Sequence, residues 1–570
     1  MNTSFQFKRI VLVLAALLYF VLAFTIFGRS ILINSVENIF PLGSTFLRIW
    51  IRFVGWFQDT ALLQIALFLF LKGIQVPECL NAASAKLGRF LKANAAAFCA
   101  GAVVLTVIYG SQFYMFNVRL DTDMAINTSP GGTFIWLDIG RYGAVFTRFL
   151  TDQLNFNPYF VSALGFVVLF AAMIICAALF WRIGKVPVFL SVFIFCLFFS
   201  HPVWMAQTYY TLQTVALNWG IALCFLAVYF VFASLFAGSL KIKIAYLSAA
   251  FLSIWWLAAT YQSLVLLFVA VAIFSLILCC RQFAPAICRK LSVWLMVCAV
   301  AALAVHFLIT ALFFSTDMDY LAHRTCWANL PLGICAASVG FSIERILTGA
   351  LNFSAFYSRA FLFVGLAALF VAYRKKQGFW LLLLLQALPF LMIFASGVDQ
   401  VPRSQLVLPF VLAADFLFLF LLIEKQKMWV AAAGVLLFAY QAGITMRLQY
   451  TDDLRFQNDV LLANRIEERL ATLNLLEKPV VFVGEKARLN RVTVKERGEY
   501  LGESLAIYSR FHDFAQTQGI HFLKVEKEKE EELRQKALEL SKTMPDFPHG
   551  ESVKETEDFV LVKLSEFMPK

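Results

Sequence analysis

Asp121 and Asp123 stand one residue apart, and Trp136, Gly140, Arg141 and Tyr142 follow on the same short polar segment. Long apolar stretches flank it on both sides. A segment of this kind has little reason to hold two carboxylates beside aromatics and arginines unless they meet something polar at the edge of the apolar region. One role for such a carboxylate is general base, taking a proton from an acceptor hydroxyl as its oxygen attacks a carbon centre. Another is to ligate a divalent cation that holds a phosphate. Arg119, Arg141 and Arg148 share the segment with Asp138 and Asp152. Their planar guanidinium forks suit a phosphate. The bland alternative is a solvated loop whose charges pair among themselves.

The elements that must position this segment are apolar. The chain has 570 residues, 61% of them hydrophobic, against roughly 45–50% in an average soluble domain. Apolar runs of about 18–25 residues, enough to cross ~30 Å of hydrocarbon, recur from Lys8 to Met446. The expected fold class is a polytopic α-helical membrane protein of about 13 spans, at 9–28, 54–71, 94–114, 158–181, 186–200, 215–237, 243–260, 262–280, 291–314, 356–373, 378–396, 403–423 and 428–446. A β-barrel would alternate in short segments instead. The first run, Ile10 to Phe27, has no small-residue cleavage site before Arg29 and reads as a retained span.

With the N-terminus inside, the inner connections carry more than twice as many Lys and Arg as the outer ones. This is the bias expected of a cytoplasmic N-terminus. The net charge of +12 therefore reports topology, and no nucleic-acid partner is expected. The outer connections hold arginine and no lysine. Residues 40–57 read as an interfacial helix. No zinc spacing, Walker loop or dinucleotide-type glycine loop is present. Cys326 and Cys335 share one loop and can bridge if it is extracytoplasmic, although two unpaired thiols are the plainer expectation.

After Met446 the composition turns polar, which divides the chain into a membrane domain, 1–447, and a C-terminal domain, 448–570. The latter is placed extracytoplasmic by the charge count. Asn458 to Leu476 reads as an amphipathic helix, and Pro479–Gly484 and Phe559–Leu564 as strands, giving a small α/β or α+β domain. Further polar and aromatic groups stand on outer connections: His201, Trp204, Gln207, Tyr209 and Tyr210; Tyr261 and Gln262; Asp317, Asp319, His323, Arg324, Glu344 and Arg345; Asp399 and Arg403. Asp415 and His306 fall within spans. An intramembrane acid is a functional candidate, but a hydrogen-bonded place inside the bundle is the plainer reading of both.

The stretch from Phe116 and Asn117 through Asp121 and Asp123 to Trp136, Gly140, Arg141 and Tyr142 resembles the serotype-converting O-antigen glucosyltransferases, within the GT-C superfamily. The Tyr261–Gln262 turn is similar too. In two respects the pattern differs: relatives commonly have adjacent acids, and many place the loop after the first span. Either aspartate is then a candidate for the base. The resemblance implies a GT-C-like bundle that moves glucose or a related hexose from undecaprenyl phosphate to a hydroxyl of a cell-surface glycan such as O-antigen. Inverting transfer would take place on the outer face of a bacterial inner membrane. Asp121 or Asp123 would be catalytic, and Arg119, Arg141 and Arg403 would bind the donor phosphate. Trp136, Tyr142, Gln207, Tyr209, Tyr261 and Gln262 would contact the sugar or the acceptor. No cofactor is demanded, and a divalent cation, Mg or Mn, is allowed. Besides donor, acceptor and membrane lipid, a small flippase and a polyprenyl-phosphate glucosyltransferase are implied partners. The main competing class is a transporter or flippase of a lipid-linked sugar, for which Asp415 speaks best. A polymerase-like enzyme and a non-enzymatic scaffold are weaker alternatives.

Overall fold

The structure is a computed structural model. It describes residues 78–113, 116–119, 121–128, 136–137, 139–151, 157–313, 325–327, 329–348, 355–397, 401–485, 492–493, 501, 504–505 and 510–565. The expected spans at 9–28 and 54–71, the interfacial segment 40–57, and Asp138, Asp152, Asp317, Asp319, His323, Arg324 and Asp399 lie outside them. The chain forms two compact units, 1–90 and 91–570. In the first, the described residues are helical, part of α1 (Glu78–Ala93).

The second unit is mainly helical. Eight helices among the described residues are long and apolar enough to cross a membrane. All eight begin at or close to expected spans; seven are α2 (Ala95–Tyr109, extended to Gln112 by a 3₁₀ turn), α5 (Pro158–Gly184), α8 (Thr214–Ser234, preceded by a 3₁₀ turn from Thr211), α9 (Leu240–Thr260), α10 (Gln262–Gln282), α11 (Pro285–Phe313) and α14 (Phe379–Ser396). The eighth is α16 (Lys427–Thr472). Further helices of the unit are α3 (Thr122–Thr128), α4 (Tyr142–Leu150), α6 (Val188–Ser200), α7 (Val203–Thr208), α12 (Leu332–Thr348), α13 (Ala355–Lys375) and α15 (Val407–Leu422).

Local chemistry sets the helix ends. Asn157 caps α5 by accepting the Phe160 N–H at 3.1 Å, ahead of Pro158 in the first turn. Ser239 caps α9 through the Ile242 N–H. The centre of the bundle is aromatic. Phe198 and Phe199 pack on the fully buried Trp204, whose indole N–H donates to the Phe198 carbonyl at 2.8 Å. That bond satisfies the one polar atom of a large apolar ring. On α11, Val293, Met296, Val297, Val300 and Phe307 point outward. An apolar outer stripe on a long helix is stable only against lipid.

The segments after α2, after α6, between α9 and α10, after α14 and in the second half of α16 come together: Arg119 bonds Thr208 and Asp452, Arg141 bonds Gln262, Arg403 lies over Tyr210, and Arg141 and Arg403 both act on Asp121. α16 has 46 residues, about 69 Å at 1.5 Å per residue. Its apolar first half packs on α6 and α15. It runs unbroken through residues 447 and 448. Its second half contributes Leu462, Ala463, Ile466 and Leu470 to the core of the C-terminal segment.

That segment holds a three-stranded sheet in the order β1–β3–β2: β1 (Val480–Val483), β2 (Val553–Glu555) and β3 (Val560–Lys563). β1 and β3 are parallel, with Val480 opposite Val560, and β2 is antiparallel to β3. Both faces are covered, so β1 and β3 are apolar at every position but one. One face packs on α17 (Phe511–Thr517) and α16, the other on α18 (Glu530–Ser541). Val118, from the segment before the aspartates, belongs to the first of these cores.

One sequence expectation changes, and one holds. Cys326 and Cys335 are bridged rather than free. The bridged loop is pinned to the end of α14, where Cys326 N–H meets the Ser396 carbonyl at 2.7 Å and the Trp327 indole meets that of Phe394 at 2.8 Å. Asp415 is fully buried, and the Gln386 amide donates to both its oxygens, at 2.8 and 2.7 Å. This is the bland place the sequence allowed for it.

Candidate functional site

Asp121 stands at a turn just ahead of α3, with a left-handed backbone (φ 70°). A residue with a Cβ adopts this at a cost of about 1–2 kcal/mol, so the surroundings must hold it there. The Arg119 carbonyl accepts the N–H groups of Thr122 and Asp123 at 3.0 and 3.2 Å, and the Asp121 carbonyl accepts that of Ala125 at 3.1 Å. The turn sends the two carboxylates into different surroundings. Asp121 is half-buried, whereas Asp123 is fully buried, with a carboxylate oxygen 3.9 Å from the Arg510 guanidinium.

Burial raises the Asp121 carboxyl above the usual carboxylate range, and the positive charges of Arg510, Arg403 and Arg141 offset this only in part. Two of these arginines were expected at the site. Each is held by an aromatic ring from another part of the chain. Arg141 follows Gly140, whose positive φ of 73° suits the turn that brings the Arg141 N–H to the Trp136 carbonyl at 2.9 Å. Its guanidinium lies 4.5 Å over the Tyr261 ring and donates to the Gln262 side chain at 3.3 Å, and Gln262 donates to the Ile139 carbonyl. Tyr261 is the one residue between α9 and α10, in extended conformation, so the tight corner is itself the platform. Arg403, in the 3₁₀ turn Pro402–Ser404, lies 4.8 Å over Tyr210. The turn packs on α7.

The other expected site residues are engaged elsewhere. Arg119 is buried. It forms a 2.7 Å ion pair with Asp452 of α16, and donates to the Thr208 carbonyl and the Thr211 hydroxyl. Tyr209 lies beneath it at 5.6 Å. Trp136 is buried under Arg148. Tyr142 is buried too. Its hydroxyl accepts from the Trp255 indole at 2.8 Å and is 3.1 Å from Nδ1 of His306. Gln207 is buried. His201 is buried, with Nδ1 accepting the Val203 N–H at 3.2 Å.

Two features escape a reading of the sequence. Asp452 also pairs with Arg455 at 3.0 Å and accepts from Asn117 at 3.0 Å. Arg455 in turn pairs with Asp459, which accepts from the Ser504 hydroxyl and the Leu505 N–H. The spacing Asp452, Arg455, Asp459 puts three charges on one helical face and was a readable signal. The second feature is Arg510, for which nothing in the chain order gives a signal. Among the described residues, no three His, Cys, Asp or Glu side chains converge as a metal-binding set.

An apolar helical bundle with an acid–arginine cluster around Asp121, built from several connecting segments, defines a membrane-embedded protein with a polar site at its surface. Residues 111–440 match the family model described as Glucosyl transferase GtrII, and the chain belongs to that family. It is a membrane glucosyltransferase of the serotype-converting type that residues 116–142 resemble. No curated protein and no solved structure matches the chain.

Proposed function

We propose that the chain transfers glucose, or a related hexose, from undecaprenyl phosphate to a hydroxyl of a cell-surface glycan such as O-antigen, on the outer face of the bacterial inner membrane. The observation that carries this is Asp121, half-buried and faced by Arg141 and Arg403, at the end of a membrane bundle in a chain of the GtrII family. Asp121 is the base in this reading. It is reachable and its raised carboxyl makes a better proton acceptor when ionised, whereas Asp123 is enclosed. The acceptor oxygen forms a bond to the anomeric carbon as Asp121 takes its proton. The bond from that carbon to the phosphate oxygen breaks, and polyprenyl phosphate leaves with the electron pair. Arg141 and Arg403 are placed to stabilise the charge that develops on it.

The outer-face assignment is supported by the charge bias of the connections and by the bridged pair Cys326–Cys335, since disulfides persist in oxidising compartments. Gly140 packs against Thr310 near the end of α11, whose outward face is apolar. In this reading the lipid tail of the donor lies along that apolar face. Asp415, the residue that spoke for a transporter, is bonded to Gln386.

The test is transfer by purified protein supplied with undecaprenyl-phosphate glucose and an O-antigen acceptor. Asp121→Asn should lower turnover by about 10²–10⁴-fold, the usual worth of a general base, with melting temperature unchanged. Full activity in both Asp121→Asn and Asp123→Asn would put the base elsewhere.

A further inference from the structure

The C-terminal segment lies outside the part of the chain that matches the family model, yet it touches the aspartate pair. α17 packs directly on α3, the helix that starts beside Asp121 and carries Asp123. The Asn127 amide of α3 donates to the Asp513 carbonyl of α17 at 2.7 Å. Phe511 and Phe514 are fully buried and pack on Phe482 of β1 and Phe456 of α16. The backbone at residue 510, at the start of this helix, is therefore fixed by its neighbours' packing.

From that position Arg510 reaches the site. Its guanidinium is 3.9 Å from Asp123 and within electrostatic reach of Asp121, and the side chain is about one-third exposed (34%). An arginine committed to one carboxylate closes to about 2.7–2.9 Å, often through two parallel bonds. At 3.9 Å, Arg510 keeps N–H donors for another acceptor. The charges point the same way. Arg510, Arg403 and Arg141 all lie within electrostatic reach of Asp121, which gathers three cations at one carboxylate. A phosphodiester donor carries one negative charge, and its leaving phosphate gains a second as the bond breaks.

We propose that Arg510, delivered by the C-terminal segment, completes the anion-binding side of the Asp121 site and contacts the phosphate of the lipid-linked donor. This rests on the transferase reading above. It gives the C-terminal segment a direct part in substrate binding.

The experiment compares full-length wild type, Arg510→Gln and Arg510→Lys in two assays. One is transfer from undecaprenyl-phosphate glucose across a pH series. The other is the rise in melting temperature on adding undecaprenyl phosphate, which needs no turnover. Arg510→Gln should lose about tenfold or more in kcat/KM, mainly through KM, and most of the ligand-induced melting shift. Arg510→Lys should recover part of both. The acid limb of the rate profile should move to higher pH in Arg510→Gln, because Asp121 keeps Arg141 and Arg403 but loses one cation, while Asp123 remains beside it. Wild-type values in Arg510→Gln would overturn the proposal. So would a loss of kcat with KM, acid limb and ligand-induced shift all unchanged, which would mark a purely structural role. A wild type that binds undecaprenyl phosphate but transfers no glucose would sink the transferase reading and leave the phosphate contact standing.

Discussion

At Asp121, burial and three arginines act in opposite directions, and burial wins. The consequence is a pH dependence with a definite sign. The carboxylate accepts a proton only when ionised, so transfer should fall as pH drops through its pKa. Because that pKa is raised, the fall should begin above the ordinary carboxylate range of about 4. A rate profile with an acid limb at or below an ordinary aspartate would contradict Asp121 as the base. The sequence showed which residue types were present, and the resemblance gave Arg141 to the donor phosphate and Tyr261 and Gln262 to the sugar or acceptor without linking them. It could not tell Asp121 from Asp123, since a one-residue offset says nothing about which side chain a turn exposes. Nor could it show that Arg119 is spent on Asp452.

The elements are held in place by close approaches and by one buried charge network. A Cβ at Gly143 would lie 2.9 Å from backbone and side-chain atoms of Ala259, so α4 reaches α9 only because residue 143 has no side chain. Gly143→Val should destabilise by about 1–3 kcal/mol, the usual cost of overpacking. This would be read as a lower melting temperature in detergent, and an unchanged one would deny the close approach. Asp452 lies between Arg119 and Arg455 with no exposure. Asp452→Ala would strand two buried guanidinium groups and should cost about 3–5 kcal/mol, measured by denaturant or thermal unfolding. Helix positions were largely legible, because apolar runs of spanning length are a strong signal. Strands at 480–483 and 560–563 were legible for a similar reason. The β2 strand was not, since Val553–Glu555 is short and polar at its exposed edge.

Across the whole molecule, α16 ties the membrane bundle to the C-terminal segment as one continuous rod, and Val118 and the Arg119–Asp452 pair lock the aspartate segment to it. The segment is thus part of the site's scaffold. Deleting residues 448–570 should abolish transfer even where the remaining bundle still inserts, as measured by membrane fractionation and activity together. Sidedness is testable at the same scale. A cysteine placed at exposed Asn464, in a chain whose other free cysteines are replaced, should react with a membrane-impermeant maleimide in intact spheroplasts. Protection until the membrane is opened would put the site in the cytosol and remove the outer-face reading.

Hydropathy alone determined that this chain is a helical membrane protein, and residue type and spacing singled out residues 116–142 as the candidate place for its chemistry. Both follow from local properties, run length and residue type, which survive without a fold. The tertiary structure alone decided which charges are consumed in structure and which stay near Asp121, because that depends on segments far apart in the chain meeting at one end of the bundle. Arg510 is the clearest case: nearly four hundred residues of chain separate it from Asp123, and only the packing of α17 on α3 brings the two together.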